Sequence, residues 1–304
     1  MVPAVATLPL RVGIRGRTID RTSRKGTTIA RLSEVAEPPT SGHTRERVPD
    51  FALIGAMKAG AAALHRQLRS HPDVFMPELT EPNFFVTEKN WTRGFDWYRS
   101  LFAGAPEGAL LGEASTNYSK GAIFGGVPER LHSYVPDLKI IYLLRDPIQR
   151  IRSHYDHAAE RGREKRSPES AITRRSTYLR TSLYGAELQR YLEWFPSEQI
   201  LVLLTEDLRD DPEPLLVRVQ EFLDLPRYSF PAKDSSPPRG DRTARDGDPP
   251  RVWDRLLKKP VEADALTIPA PALDRIRGDL AADRELLQRL VGIDLTGWQS
   301  LERC

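Results

Sequence analysis

Lys58, Glu81, Arg145 and Ser153 are residues whose types and settings could together handle an anion and a proton. Lys58 stands in Gly55-Ala-Met-Lys58-Ala-Gly60-Ala-Ala62, between an apolar run and a helix-forming one. Such a strand–loop–helix turn suits a phosphate. The first N–H groups of a helix lack intrahelical acceptors, and the helix dipole is positive at that end. Gly55 and Gly60 have the spacing of a P-loop, but Ala61 follows Gly60 where that loop needs Lys, and no hydroxyl follows for magnesium. ATP or GTP hydrolysis is therefore not supported, whereas an anionic ligand is. An ordinary tight turn with a solvated lysine fits the same residues equally well.

Arg145 ends the apolar run Leu138–Leu144, and Ser153 comes eight residues later in Arg152-Ser153-His154-Tyr155. The planar fork of an arginine matches phosphate oxygens, and a serine hydroxyl adds a donor. The alternative is that Arg145 pairs with the adjacent Asp146 while Ser153 faces solvent. Two anion sites at neighbouring strand ends would suit a ligand with two separated phosphates. Glu81, in Thr80-Glu81-Pro82-Asn83-Phe84-Phe85, reads by itself as a surface acid beside a core anchor. His154 and His157 are three apart, but no carboxylate or cysteine completes a metal set, so no metal is expected.

These residues need a frame. Phe51–Gly55, Leu138–Leu144 and Gln199–Leu204 are short apolar runs of the kind that form buried strands. Residues 61–68, the stretch from Pro147, 184–195, 212–222 and 272–290 read as helices. Strands alternating with helices predict an α/β fold, a single domain with a central, mostly parallel sheet flanked by helices. Such sheets bind ligands beyond the carboxyl ends of their strands.

The chain has 304 residues and a formal net charge of +3. Residues 1–49 hold nine Lys/Arg and four Asp/Glu, leaving 36 basic and 38 acidic residues in the remainder. The excess charge thus belongs to an N-terminal segment without aromatics, expected to be a disordered basic tail ahead of a domain at 50–304. Its apolar residues precede its arginines, the wrong order for a secretory signal. A transit peptide or a plain extension remains open. Without aromatics to stack on bases, a nucleic-acid partner is not expected. Residues 226–251, crowded with Pro, Gly, Asp, Ser and Arg, are expected to form a long flexible loop; Arg239-Gly240 within it could close over a ligand. No apolar run approaches the roughly 20 residues of a membrane span. The one cysteine, Cys304, excludes a disulfide framework and suits a reducing, cytoplasmic setting.

Taken together, the segments around Lys58, Glu81 and Arg145 resemble the sulfotransferases that use 3′-phosphoadenosine 5′-phosphosulfate (PAPS), and most nearly their heparan-sulfate-type branch and its bacterial relatives. The likeness runs from Phe51 to Trp298 and takes in Gly112-Glu-Ala-Ser-Thr-Asn-Tyr118, Phe195-Pro196, Glu206-Asp207-Leu208 and Leu290–Trp298. It implies a P-loop-kinase-like sulfotransferase fold and a reaction without a metal. PAPS would be the co-substrate, with a small molecule or carbohydrate as acceptor. By position, Lys58 would stabilise the leaving phosphate and Glu81 would act as general base. Ala59, Gly60, Ala61 and Ala62 would hold the 5′-phosphate with Lys58, and Arg145 and Ser153 the 3′-phosphate. Ala61 and Ala62 stand where the family has two threonines, Thr80 where it has lysine, and Asn83 where histidine is common. A hydrogen bond to a charged group contributes about 1.5–3 kcal/mol, so two missing hydroxyls correspond to roughly a hundredfold weaker donor binding. The alternative is therefore a catalytically weak relative that binds nucleotide or a partner. Retention of Lys58, Glu81, Arg145 and Ser153 favours the enzyme.

Overall fold

The computed structural model describes residues 47–230, 268–298 and 300. The chain divides into units at Met1–Gly42 and His43–Cys304, and every described residue belongs to the second. Residues 1–46, nearly all of the expected tail, and 231–251, with Arg239 and Gly240, lie outside the described residues. Arg47 is already anchored: its guanidinium donates to the carbonyls of Phe102, Ala103 and Ala105.

Among the described residues the strands are β1 (Phe51–Gly55), β2 (Val74–Phe75), β3 (Leu110–Ala114), β4 (Lys139–Leu144) and β5 (Ile200–Leu204). They form one parallel sheet in the order β2-β3-β1-β4-β5. The helices are α1 (Ala61–Leu68), α2 (Phe95–Ser100), α3 (Val127–Tyr134), α4 (Pro147–Glu160), α5 (Pro168–Ala171), α6 (Thr177–Arg180), α7 (Tyr184–Leu192), α8 (Thr205–Asp210), α9 (Pro212–Phe222) and α10 (Ala270–Val291).

The central strands are apolar throughout because both of their faces are covered. Alternation along each strand divides its side chains between two cores. Ala52, Ile54, Ile140, Tyr142, Leu144, Val202 and Leu204 enter one, and Phe51, Leu53, Ile141, Leu143 and Leu203 the other. β3 has the sequence Leu-Leu-Gly-Glu-Ala and carries no such apolar signal. Gly112 is required there by close packing: a Cβ on it would lie 2.1 Å from the Phe51 ring.

α4 begins where the strand run breaks. Pro147 occupies its first turn, and the Asp146 carboxylate accepts from the N–H groups of Ile148 and Gln149. This N-cap role, with a further bond from the Ser300 hydroxyl, engages the acid that the sequence offers as a partner for Arg145. α10 locks α7 in the same manner, its buried Asp283 accepting from Gly185 and Ala186 N–H. Residues 226–230 are irregular but packed: Tyr228 N–H donates to Gln220, and the Tyr228 and Phe230 rings lie 5.1 and 6.0 Å from His71.

Candidate active site

All strands are parallel, so the segments leaving β1, β3, β4 and β5 emerge at one edge of the sheet. After β1 comes the loop of Lys58. Its carbonyls are tied back one after another. Arg150 Nη1 donates to Met57 O (3.4 Å), Arg145 Nη1 to Lys58 O (3.3 Å), and the Thr205 hydroxyl meets Ala59 O (2.5 Å). Thr205 also reaches Leu144 O at 2.6 Å, joining the ends of β4 and β5 to the loop. In a trans peptide the C=O and the following N–H point oppositely. The N–H groups of Lys58 and Gly60 are therefore turned away from these donors. Lys58 has φ 72° and Gly60 φ 96°, both left-handed. For lysine this is an uncommon conformation that costs energy and recurs at functional sites. α1 starts on Gly60 with no side-chain cap and no acid in its first turn. Its first N–H groups thus lack both intrahelical acceptors and a capping side chain. Ala61 is buried in the second core, whereas Ala62 is exposed.

Arg145 and Lys58 are thus brought together directly. Burial pulls the Arg145 pKa down from its usual value, with Glu206 opposing. The Arg145 backbone is fixed from behind, its carbonyl accepting from Tyr184 OH at 2.9 Å. Ser153 is half-buried on α4. One turn further on, Asp156 and His157 both fall within the electrostatic reach of Lys58. Residues three and four apart share a helix face, so Ser153 lies on the face of α4 that turns to the loop. His154 is neutral at ordinary pH. Burial, then Arg150, Lys120 and Lys58, push its pKa down to about 3. Its ring packs edge-on against Tyr178 at 4.7 Å.

Glu81 belongs to the segment after β2 yet is held at the end of β3. Its N–H donates to Ala114 O (3.1 Å), and its two carboxylate oxygens accept from Thr116 N–H (2.9 Å) and Thr116 Oγ1 (2.7 Å). Glu81 and Asn83 both have positive φ, 57° and 50°. Asn83 Nδ2 closes this turn onto Glu81 O at 2.7 Å, and Asn83 N–H donates to Ser115 Oγ at 2.9 Å. Ser115 Oγ in turn donates to Glu113 (3.1 Å), which also accepts from Tyr98 OH (2.5 Å) and Tyr118 OH (3.0 Å). Burial raises the Glu113 pKa to about 7 against these three hydrogen bonds. The buried acid thus anchors the turn that presents Glu81.

Two groups of this site stand outside the sequence motifs: Arg150, fully buried, and Lys120, whose ammonium contacts Met57; Glu113 lies in the Gly112–Tyr118 segment but was given no role from sequence. Arg150 is embedded by Ser182 and Tyr178 O, and a three-residue spacing on α4 gave no signal of that. A separate groove of about 550 Å³, lined by Gln67, Leu216, Tyr228 and Phe230, lies at the other end of α1.

The sulfotransferase domain family matches residues 48–234. The chain belongs to that family. It is 31% identical over 213 residues to human "heparan sulfate glucosamine 3-O-sulfotransferase 6", covering 67% of this chain and 60% of the relative. It is 32% identical over 211 residues to human "bifunctional heparan sulfate N-deacetylase/N-sulfotransferase 3", covering 62% of this chain and 24% of the relative. The match therefore spans less than two thirds of each of these relatives. Among solved structures, a sulfotransferase from Alicyclobacillus acidocaldarius superposes with a TM-score of 0.66 at 25% identity, over 83% of this chain and 99% of its own. The parallel five-stranded sheet flanked by helices is the sulfotransferase fold.

Proposed function

We propose that this sulfotransferase-family chain moves a sulfuryl group from PAPS to a hydroxyl or amine of an acceptor by in-line displacement. The observation that carries this reading is the convergence at one sheet edge of Lys58, Arg145 and a side-chain carboxylate, Glu81, around a loop whose carbonyls are all drawn back. The N–H groups at Gly60–Ala62 and the α1 dipole hold the 5′-phosphate, and Arg145 with Ser153 holds the 3′-phosphate. Lys58 meets the bridging oxygen as its bond to sulfur breaks and negative charge grows there. The acceptor oxygen forms the new bond to sulfur, and its proton passes to Glu81. Thr116 occupies one lone pair on each Glu81 oxygen, and a carboxylate has further lone pairs for that proton.

Two relatives are named for heparan sulfate, which supports a carbohydrate acceptor first and a small-molecule hydroxyl second. The test is transfer of labelled sulfate from PAPS to a panel of such acceptors. Transfer that is lost in Glu81→Ala while PAPS still binds supports the reading. Undiminished transfer by Glu81→Ala removes Glu81 as the base.

The uncapped start of α1, with Ala61 and Ala62 supplying no hydroxyl, favours one other reading: a catalytically weak relative that binds nucleotide. Tight calorimetric binding of 3′-phosphoadenosine 5′-phosphate, with no turnover across the panel, would decide for it.

A further inference from the structure

Lys120 is a cation of this site that no step above employs. It follows β3 by six residues, and its ammonium donates to Met57 Sδ at 3.0 Å and Asn117 Oδ1 at 2.7 Å. Met57 directly precedes Lys58, so the ammonium lies against the donor loop. Glu81 acts on it as a nearby negative charge, and Arg150 and Lys89 as positive ones. His154 in turn feels Arg150, Lys120 and Lys58 together. Lys120 thus stands between the loop that would hold the donor and the carboxylate that would take the proton.

A purely structural role accounts poorly for this placement. Burial is the main cause lowering the Lys120 pKa to about 8. A buried ammonium is costly unless a carboxylate pairs with it. Among the described residues none forms an ion pair with Lys120. One of its two acceptors is a thioether, which accepts weakly. The third N–H of the ammonium meets no acceptor among the described residues. An apolar side chain would pack against Met57 without the desolvation cost. The position instead offers a strong donor beside the Lys58 loop and within the electrostatic reach of Glu81.

We propose that Lys120 is a ligand of the transferring sulfuryl group, donating from that third N–H to a non-bridging sulfuryl oxygen. The proposal rests on the PAPS reading of the site. Lys58 serves the bridging oxygen, and Lys120 serves the group that moves. In the step itself the sulfur–oxygen bond to the 5′-phosphate breaks with its electron pair going to the phosphate. The bond from sulfur to the acceptor oxygen forms, and the acceptor proton goes to Glu81. Lys120 keeps all its protons. Because the sulfuryl oxygens are charged before as well as during transfer, Lys120 contributes to binding the donor but not to binding the desulfated product.

That difference gives a test that needs no acceptor. Calorimetry would compare PAPS with 3′-phosphoadenosine 5′-phosphate on the unaltered chain, Lys120→Met and Lys120→Arg. A hydrogen bond to a charged group corresponds to roughly tenfold or more in affinity. Lys120→Met is expected to weaken PAPS about tenfold and to leave the desulfated nucleotide within about twofold, and Lys120→Arg to regain most of the loss. Equal weakening of both nucleotides would make Lys120 a phosphate or loop-holding residue and overturn the proposal. So would no weakening of either. If Lys120→Met does not melt cooperatively, Lys120→Gln is read by the same two affinities. An unaltered chain that binds neither nucleotide overturns the PAPS reading itself, an outcome separate from the failure of Lys120 alone.

Discussion

The two halves of this site are built from different materials. On the proposed donor side the parts are largely main chain. Consecutive carbonyls of Met57, Lys58 and Ala59 are drawn back by Arg150, Arg145 and Thr205, and the helix start presents its N–H groups. On the side of the proposed base the part is one side chain, Glu81, held through the Thr116 hydroxyl, the Asn83 amide, the Ser115 hydroxyl and the Glu113 acid. A main-chain cradle survives changes of side chain, which is why alanines at 61 and 62 need not abolish an anion site. A side-chain base has no such reserve.

The sharpest way to break this contrast is Glu81→Gln. Turnover is expected to fall about a thousandfold, within the range for loss of a general base, with PAPS affinity by calorimetry changed less than twofold. A large loss of affinity would show that the halves are not separable. Next comes Arg145→Ala, which removes the proposed phosphate ligand and the tie on Lys58 O together. Affinity for 3′-phosphoadenosine 5′-phosphate is expected to drop roughly a hundredfold, two charged hydrogen bonds' worth. A drop below fivefold would take Arg145 out of the cradle. Ser115→Ala interrupts the relay behind Glu81, and about a tenfold loss of turnover with unchanged nucleotide affinity is expected from one hydrogen bond. Ala62→Thr, at an exposed position, adds a hydroxyl to the donor side and should tighten nucleotide binding roughly three- to tenfold; an unchanged dissociation constant would mean the main chain alone suffices there.

The smallest effect is on stability. Glu113 has a folded pKa of about 7, above the ordinary carboxylate value of 4.5. The folded state therefore holds a proton that the unfolded state has lost, and stability falls as pH rises from about 4.5 to 7. His65 and His154 act oppositely. Burial depresses them to about 4 and about 3, so stability rises with pH up to their unfolded value of 6.5. The two trends offset in the unaltered chain. Glu113→Gln loses the falling contribution of Glu113 and keeps the histidine trend. Its melting temperature should gain on the unaltered protein by a few degrees between pH 5 and 7, and parallel melting curves across that range would count against a buried, titrating Glu113.

The same contrast explains what could be read from the amino-acid sequence. β1, β4 and β5 were legible because they are largely buried and, apart from Lys139 at the start of β4, carry apolar or aromatic residues and one glycine. So were α1, α4, α7, α9 and α10, within a few residues at their ends. β2 is too short to register, and β3 is masked by Gly112 and Glu113, one shaped by the Phe51 ring and the other by hydroxyls brought from Tyr98 and Tyr118. The short helices α2, α5, α6 and α8 left no periodic trace. Of the candidate site, the motifs pointed to Lys58, Glu81, Arg145 and Ser153. Arg150 and Lys120 were not, because their meaning lies in Met57, a contact made across long stretches of chain. Nor could spacing reveal that Asp146 caps α4 while its charge is still felt by Arg145.

The last described residues reach back to this same edge. Trp298 donates to Glu206 at 3.4 Å and lies 5.8 Å from Tyr184, while Ser300 bonds to Asp146. During synthesis from the N-terminus, then, β1, β4 and β5 can pair long before residue 298 leaves the ribosome, but the Arg145 end of the sheet stays open until it does. A nascent chain stopped before that point carries the sheet without the Trp298 and Ser300 contacts to Glu206 and Asp146, so compactness is an early marker of synthesis and these contacts a late one.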